Sequence, residues 1–241
     1  MSNVLLLHAG IADRRMWAPQ LEALGAAGHR ALAPDLPGFG ETPLEPGTID
    51  YVSHAAAQLD APAAVVGCSF GGRITLELAL ARPELVERLV LVGAGLGGWD
   101  WSDAAKADFA EEEEALERGD LAGAAAAQAR MWLASDAGED VRTLTEAMTL
   151  RSYELQLPVE DEVTGIWPEP PAAERLAEVS TPTLVVVGSD DVEDIVIMAE
   201  KLAVEIPGAR LERIVGAGHL PSLERPDELN RLLLDFFQDG V

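Results

Sequence analysis

A catalytic nucleophile needs a reactive side chain, a turn that exposes it and a base. Residues 65–72 supply the first two. They read Val65-Val66-Gly67-Cys68-Ser69-Phe70-Gly71-Gly72, a short apolar strand entering Gly-x-Ser-x-Gly with a helical pattern directly behind it. A serine hydroxyl stands clear of the backbone only in a tight, strained turn. Small residues two before and two after it let strand and helix pass without collision. The following helix aims its N-terminal amides at negative charge developing beside the serine. The alternative is a glycine turn with no chemistry, and the flanking strand and helix favour the nucleophile. Cys68 adjoins Ser69, but a thiol at that position points into the core and is read as structural.

Serine is a weak nucleophile without a base. The chain has four histidines, His8, His29, His54 and His219. His219 sits in Gly216-Ala217-Gly218-His219-Leu220, after the last strand and before the last helix. Glycine-rich loops at the C-terminal ends of strands are where open α/β sheets place ligands and catalysts. His29 and His54 read as solvated, and His8, closing the first strand, as a structural residue bonded to loop backbone. The base in turn needs a carboxylate to orient it. Asp191, three residues past the strand that ends at Gly188, is the first choice, with Asp190 and Asp194 as competitors. The competing role for Asp190 and Asp191 is to cap the helix that follows.

These residues need elements to hold them. Residues 4–8, 31–35, 64–67, 89–93, 183–188 and 211–215 read as strands bounded by Gly, Pro or Asp, continuous rather than alternating, as in strands buried on both faces. Helical patterns at 73–81, 195–206 and 227–237 separate or follow them, each with a proline or glycine stop or start. The expectation is an α/β fold, a mostly parallel sheet with helices on both faces. The rhythm breaks over residues 96–173. That stretch shows no strand pattern, has four of the five tryptophans and carries 18 acidic against 5 basic residues, a net −13. Helical runs at 104–118 and 121–133 lie between a glycine-rich entry (Gly95, Gly97, Gly98) and a proline-rich exit (Pro168, Pro170, Pro171). We read residues 1–95 and 174–241 as a core and 96–173 as a helical cap inserted into it. Glu111–Glu114 reads as a solvated helix face. Trp132 and Arg130 are the candidate substrate-binding residues of the cap.

Composition narrows the partners. Seventeen basic and 42 acidic side chains leave a net charge of −25 over 241 residues, a field that repels nucleic acid and anionic lipid. A single cysteine forms no internal disulfide and points to a reducing compartment. No apolar run approaches the roughly 18 residues of a spanning helix. The expectation is a cytoplasmic monomer or homodimer acting on a small molecule, without a metal or other cofactor.

Taken together, the Ser…Asp…His order, the elbow, His8-Ala9-Gly10, Met16-Trp17-x-Pro19-Gln20, Asp35-Leu36-Pro37-Gly38-Phe39-Gly40 and Gly216-Ala217-Gly218-His219-Leu220-Pro221 resemble the α/β-hydrolase superfamily. Leu223-Glu224-Arg225-Pro226 matches as well. The similarity within it is to small capped hydrolases that include 3-oxoadipate enol-lactonases and carboxylesterases. The resemblance implies a cap domain at residues 96–173 and an oxyanion hole from the backbone amides of Phe70 and Gly10. It also implies that the antiparallel strand pair usual at the start of this fold is missing, and Ala9 stands where a glycine is usual. The implied activity is serine hydrolysis of a small carboxylic ester or lactone by a Ser69–His219–Asp191 triad. The same triad could serve C–C bond, amide or thioester hydrolysis or perhydrolysis. A non-catalytic ligand-binding protein on this fold is the alternative of another class. An anionic enol-lactone would need a local cation, for which Arg130, Arg151 and Arg73 are the candidates.

Overall fold

The computed structural model describes residues 2–238. Its centre is a six-stranded sheet of β1 (Asn3–Leu7), β2 (Arg30–Leu32), β4 (Ala63–Cys68), β5 (Val86–Val92), β7 (Thr183–Gly188) and β8 (Arg210–Ile214). The order is β2-β1-β4-β5-β7-β8, and every pairing is parallel. All six residues of β4 and of β7 are buried. Val, Leu and Ala packed on both faces explain why these strands read as unbroken apolar runs. The edge strands β2 and β8 are the partly exposed ones.

Helices cover both faces: α1 (Ala18–Ala26), α2 (Tyr51–Ala56), α3 (Phe70–Ala81), α7 (Glu193–Glu205), the short α8 (Pro221–Glu224) and α9 (Pro226–Gln238). In α9 the buried Leu229, Leu232, Leu233, Phe236 and Phe237 fall at helical spacing on one stripe, with a proline at its first position.

Strand order decides where the functional loops emerge. From β1 the chain moves to β2 on one side of the sheet and returns to β4 on the other, so β1 and β4 flank a switch point. Leu7 pairs with Gly67, which brings out the loops carrying Gly10 and Ser69 side by side. At the other side, Gly188 pairs with Ile214, and the loops carrying Asp191 and His219 leave together.

Between β5 and β7 stand α4 (Asp103–Glu117), α5 (Leu121–Trp132) and α6 (Glu139–Gln156). Entry to this segment is anchored by Asp194 of α7. It accepts hydrogen bonds from the Ser102 hydroxyl (2.6 Å), the Ser102 amide (3.0 Å) and the Trp99 indole (3.0 Å). Burial opposes ionisation of Asp194, but those donors prevail and hold its carboxyl below the usual range. The sequence suggested no strand here, yet β6 (Val163–Ile166) pairs in parallel with β3 (Gly47–Asp50) as a separate two-stranded sheet. Both strands are largely exposed, so neither shows the apolar run or the alternation that betrays a packed strand.

Candidate active site

The elbow is as strained as its pattern implies. Ser69 has φ 52° and ψ −112°, the left-handed side of the map, and is the sole non-glycine residue with positive φ among the described residues. Such a conformation costs about 1–3 kcal/mol and persists only where its surroundings enforce it. Here its amide donates to Val92 O (3.0 Å), while its carbonyl accepts from the amides of Arg73 (2.9 Å) and Gly95 (3.1 Å). Glycine is required on both sides. A Cβ at position 67 would lie 2.3 Å from Gly71 O, and one at position 71 would lie 2.3 Å from Leu7 O.

His219 is buried, and its Nδ1 sits 2.9 and 3.0 Å from the two carboxylate oxygens of Asp191. Asp191 has no side-chain exposure, and its Oδ1 also accepts from the Val192 amide at 2.8 Å. Since Nδ1 faces a carboxylate, it carries the proton and Nε2 is left as the lone-pair nitrogen. Nε2 is buried and has no hydrogen-bond partner. Its hydrogen bond to the serine is therefore unformed in this conformation, as is common for nucleophile–base pairs before substrate arrives. Gly93 (φ 49°) makes room, because a Cβ there would approach Asp191 Oδ2 and His219 Nδ1 at 3.2 Å. Asp190 is exposed and accepts from the Ser189 hydroxyl, and Asp194 is committed to Ser102 and Trp99. Of the three aspartates, Asp191 alone reaches the imidazole.

Ser69, His219 and Gly10 line one cavity of about 270 Å³ together with residues of α4, α5 and α6. A larger concavity of about 660 Å³, lined by Glu87, Arg88, Thr183, Arg210 and others, lies at the opposite, N-terminal ends of the strands. Ligands of open α/β sheets bind at the C-terminal ends, and the smaller cavity holds the reactive groups. Phe70 is the first residue of α3, so its N–H has no acceptor within the helix. A Cβ on Gly10 would come within 3.7 Å of Phe70 Cβ, placing the two candidate oxyanion donors next to each other.

Trp132 closes over the histidine. Its ring centroid is 4.3 Å from that of His219 at an interplanar angle of 34°, and its carbonyl accepts from the His219 amide at 2.7 Å. Arg130 does not reach the cavity. It is an exposed residue of α5 paired with Glu111, for a geometric reason: two residues along a helix are about 200° apart, so Arg130 and Trp132 face opposite ways. The other candidate cations are also occupied elsewhere. Arg151 donates to Gly40 O and pairs with Glu154, and the Arg73 guanidinium lies 3.5 Å over the Trp167 ring.

The remaining histidines and the cysteine have placements of their own. His8 is buried, with Nδ1 donating to Ala9 O and Nε2 accepting from the Leu36 amide, both at 2.9 Å; burial pushes its pKa down. It thus braces the loop that carries Gly10. His29 and His54 are half-buried rather than solvated. Cys68 is buried, with Sγ 3.5 Å from His219 O, and burial drives its pKa well above the ordinary thiol value, which leaves it inert.

Two glutamates take roles that their sequence context did not suggest, and Glu112 departs from the solvated face expected for Glu111–Glu114, being half-buried and turned to the cavity. Glu224, buried, accepts from the amides of Gly218 (3.0 Å) and Leu220 (3.0 Å), which flank His219, and from Ala134 (2.9 Å) just after α5. One carboxylate thereby ties the histidine loop to the inserted helices. Glu112, Gln128 and Tyr153 also line the cavity, with Glu112 as its lone charged side chain.

Comparison with known proteins places the chain by family and fold. A family model described as the alpha/beta hydrolase family matches residues 4–232. A pimeloyl-(acyl-carrier protein) methyl ester esterase from Aromatoleum aromaticum is 30% identical over 97% of this chain and 97% of its own length. A 2-hydroxy-6-oxononadienedioate/2-hydroxy-6-oxononatrienedioate hydrolase from Pseudomonas putida is 28% identical over 98% of this chain and 87% of its own. Among solved structures, the enol-lactonase from Burkholderia xenovorans LB400 superimposes with a TM-score of 0.80 at 22% identity, covering 99% of this chain and 92% of that one, a likeness of fold.

Proposed function

Because this chain belongs to the alpha/beta hydrolase family, we propose that it hydrolyses a small carboxylic ester or lactone with Ser69 as nucleophile, His219 as base and Asp191 as orienting carboxylate. The supporting observation is the His219–Asp191 contact at 2.9 and 3.0 Å, with Nε2 buried, unpartnered and bordering the cavity that Ser69 lines. Ser69 Oγ attacks the acyl carbon as Nε2 takes its proton. Negative charge moves to the carbonyl oxygen, where the Phe70 and Gly10 amides receive it; each such donor is typically worth about 3 kcal/mol in the transition state. His219 passes the proton to the leaving oxygen, the C–O bond breaks and an acyl-enzyme remains. Water then attacks the acyl carbon with its proton going to Nε2, the acyl–Oγ bond breaks as Nε2 returns that proton to Ser69 Oγ, and the acid departs. Asp191 keeps Nδ1 protonated throughout and stabilises the imidazolium. Helices α4–α6 act in this scheme as a cap that shields the acyl-enzyme.

The cavity's lining favours substrates without a carboxylate. Glu112 is there and neither arginine nor lysine is, so a dioate of the kind named for the Pseudomonas relative would meet repulsion. Hydrolysis of 4-nitrophenyl butyrate and of the similarly sized 4-nitrophenyl hemisuccinate tests this. The neutral ester should have a kcat/KM at least about tenfold higher at low salt, and the gap should narrow as ionic strength rises from about 0.01 M to about 0.5 M and screening shortens. A hemisuccinate preferred at low salt and slowed by salt would overturn the charge argument. Failure to turn over either ester would overturn the ester reading.

A further inference from the structure

The cavity's one charged side chain has no counterion. Glu112, half-buried on α4, takes one neutral donor on each carboxylate oxygen: Gln128 Nε2 on Oε2 (2.6 Å) and Tyr153 Oη on Oε1 (2.5 Å). The next link fixes the orientation of Gln128, whose Oε1 accepts from Trp132 Nε1 at 2.7 Å. A hydrogen-bonded chain thus runs from the ring lying against His219 to a carboxylate held in place from two helices. Among the described residues, no lysine, arginine or histidine is hydrogen-bonded to Glu112 or forms an ion pair with it; its neighbours Glu111 and Glu114 carry the surface pairs with Arg130 and Arg118.

A partly desolvated carboxylate without a cation is costly, and the cost falls when a ligand brings the opposite charge. Each carboxylate oxygen keeps a lone pair beyond its single donor, so an N–H⁺ can bond there without displacing Gln128 or Tyr153. Burial and the Glu112 carboxylate push the Tyr153 phenol far above its ordinary value, so that hydroxyl remains a donor. Burial raises Glu112 itself while the Tyr153 hydroxyl opposes the rise. Trp132 and Tyr153 line the same space, and aromatic rings there suit a cation better than an anion. The surrounding segment, at net −13, focuses cations toward the entrance.

Resting on the ester-hydrolase reading above, we propose that Glu112 is the specificity determinant of the cavity and that the substrate class is an ester bearing a protonated amine. The carboxylate engages the ammonium while the ester carbonyl lies at Ser69.

The test compares 2-(dimethylamino)ethyl butyrate, cationic at neutral pH, with its uncharged isostere 3-methylbutyl butyrate, both followed by pH-stat. The wild-type protein should favour the cation by at least about tenfold in kcat/KM, roughly the worth of a 1.4 kcal/mol interaction. Glu112→Gln should bring that ratio to about one, whereas Glu112→Asp, which keeps the charge, should retain most of it. A ratio near one in the wild type, or one unchanged in Glu112→Gln, overturns the proposal while the ester reading stands. If neither ester is cleaved, the ester reading has failed, and binding decides the rest. Dimethylethylammonium chloride should change tryptophan fluorescence saturably in the wild type and at least about fivefold more weakly in Glu112→Gln, with isopentane-like 3-methylbutanol as neutral control. Equal binding of the cation by both proteins overturns the site.

Discussion

Replacing Ser69 by alanine should lower turnover about 10⁶-fold and leave the protein folded, the magnitude seen when a serine-hydrolase nucleophile is removed. Both halves follow from the geometry. The structural hydrogen bonds of residue 69 are made by its backbone, to Val92, Arg73 and Gly95, and alanine keeps them. Alanine at φ 52° is as strained as serine, so no conformational relief accompanies the loss of one oxygen. What disappears is the atom that forms the acyl bond. Steady-state kcat/KM on a neutral ester, alongside a thermal midpoint, reads both. Retention of more than a few percent of activity would remove Ser69 from the mechanism.

Asp191→Asn should cost about 10⁴-fold. Asparagine fits the space, but turning its NH₂ toward Nδ1 makes that nitrogen an acceptor and moves the imidazole proton to Nε2. The base then has no lone pair for the Ser69 proton. Asp190→Asn, at an exposed carboxylate bonded to Ser189, should change kcat/KM by less than about threefold, because solvent and salt screen an exposed charge. Measuring the two side by side separates a specific orienting role from a general loss of negative charge. The reverse ranking would transfer that role to Asp190.

Much of this was legible in the sequence because steric demands leave few choices. Gly67 and Gly71 flank Ser69 since a Cβ at either would enter backbone, and that requirement is visible as a pattern. The buried strands were visible too, since packing on both faces demands continuous apolar runs. Choosing among Asp190, Asp191 and Asp194 was harder. All three follow one strand within a few residues, and side-chain direction, which spacing does not encode, separates them. Arg130 and Trp132 lie on one helix, but two residues along a helix turn about 200° apart, so Trp132 faces the histidine and Arg130 faces Glu111. Glu112 was hidden in a run of four glutamates. Its helical period does mark it, since Ala105, Phe109, Glu112 and Leu116 fall on the less exposed stripe of α4 while Glu111, Glu113 and Glu114 face solvent. Glu224 and the β3–β6 pair left no such trace, because a carboxylate collecting amides from two distant loops and a pair of exposed strands depend on the finished fold.

The central claim, that Ser69 is a nucleophile activated by His219, is tested most directly by reaction with a fluorophosphonate followed by mass spectrometry of the intact and digested protein. The account predicts one equivalent of phosphonyl adduct, located on Ser69, absent from Ser69→Ala and formed at least about a hundredfold more slowly in His219→Ala, in line with the worth of a positioned general base. Adduct on a different residue, or none on a folded wild-type protein, would contradict it.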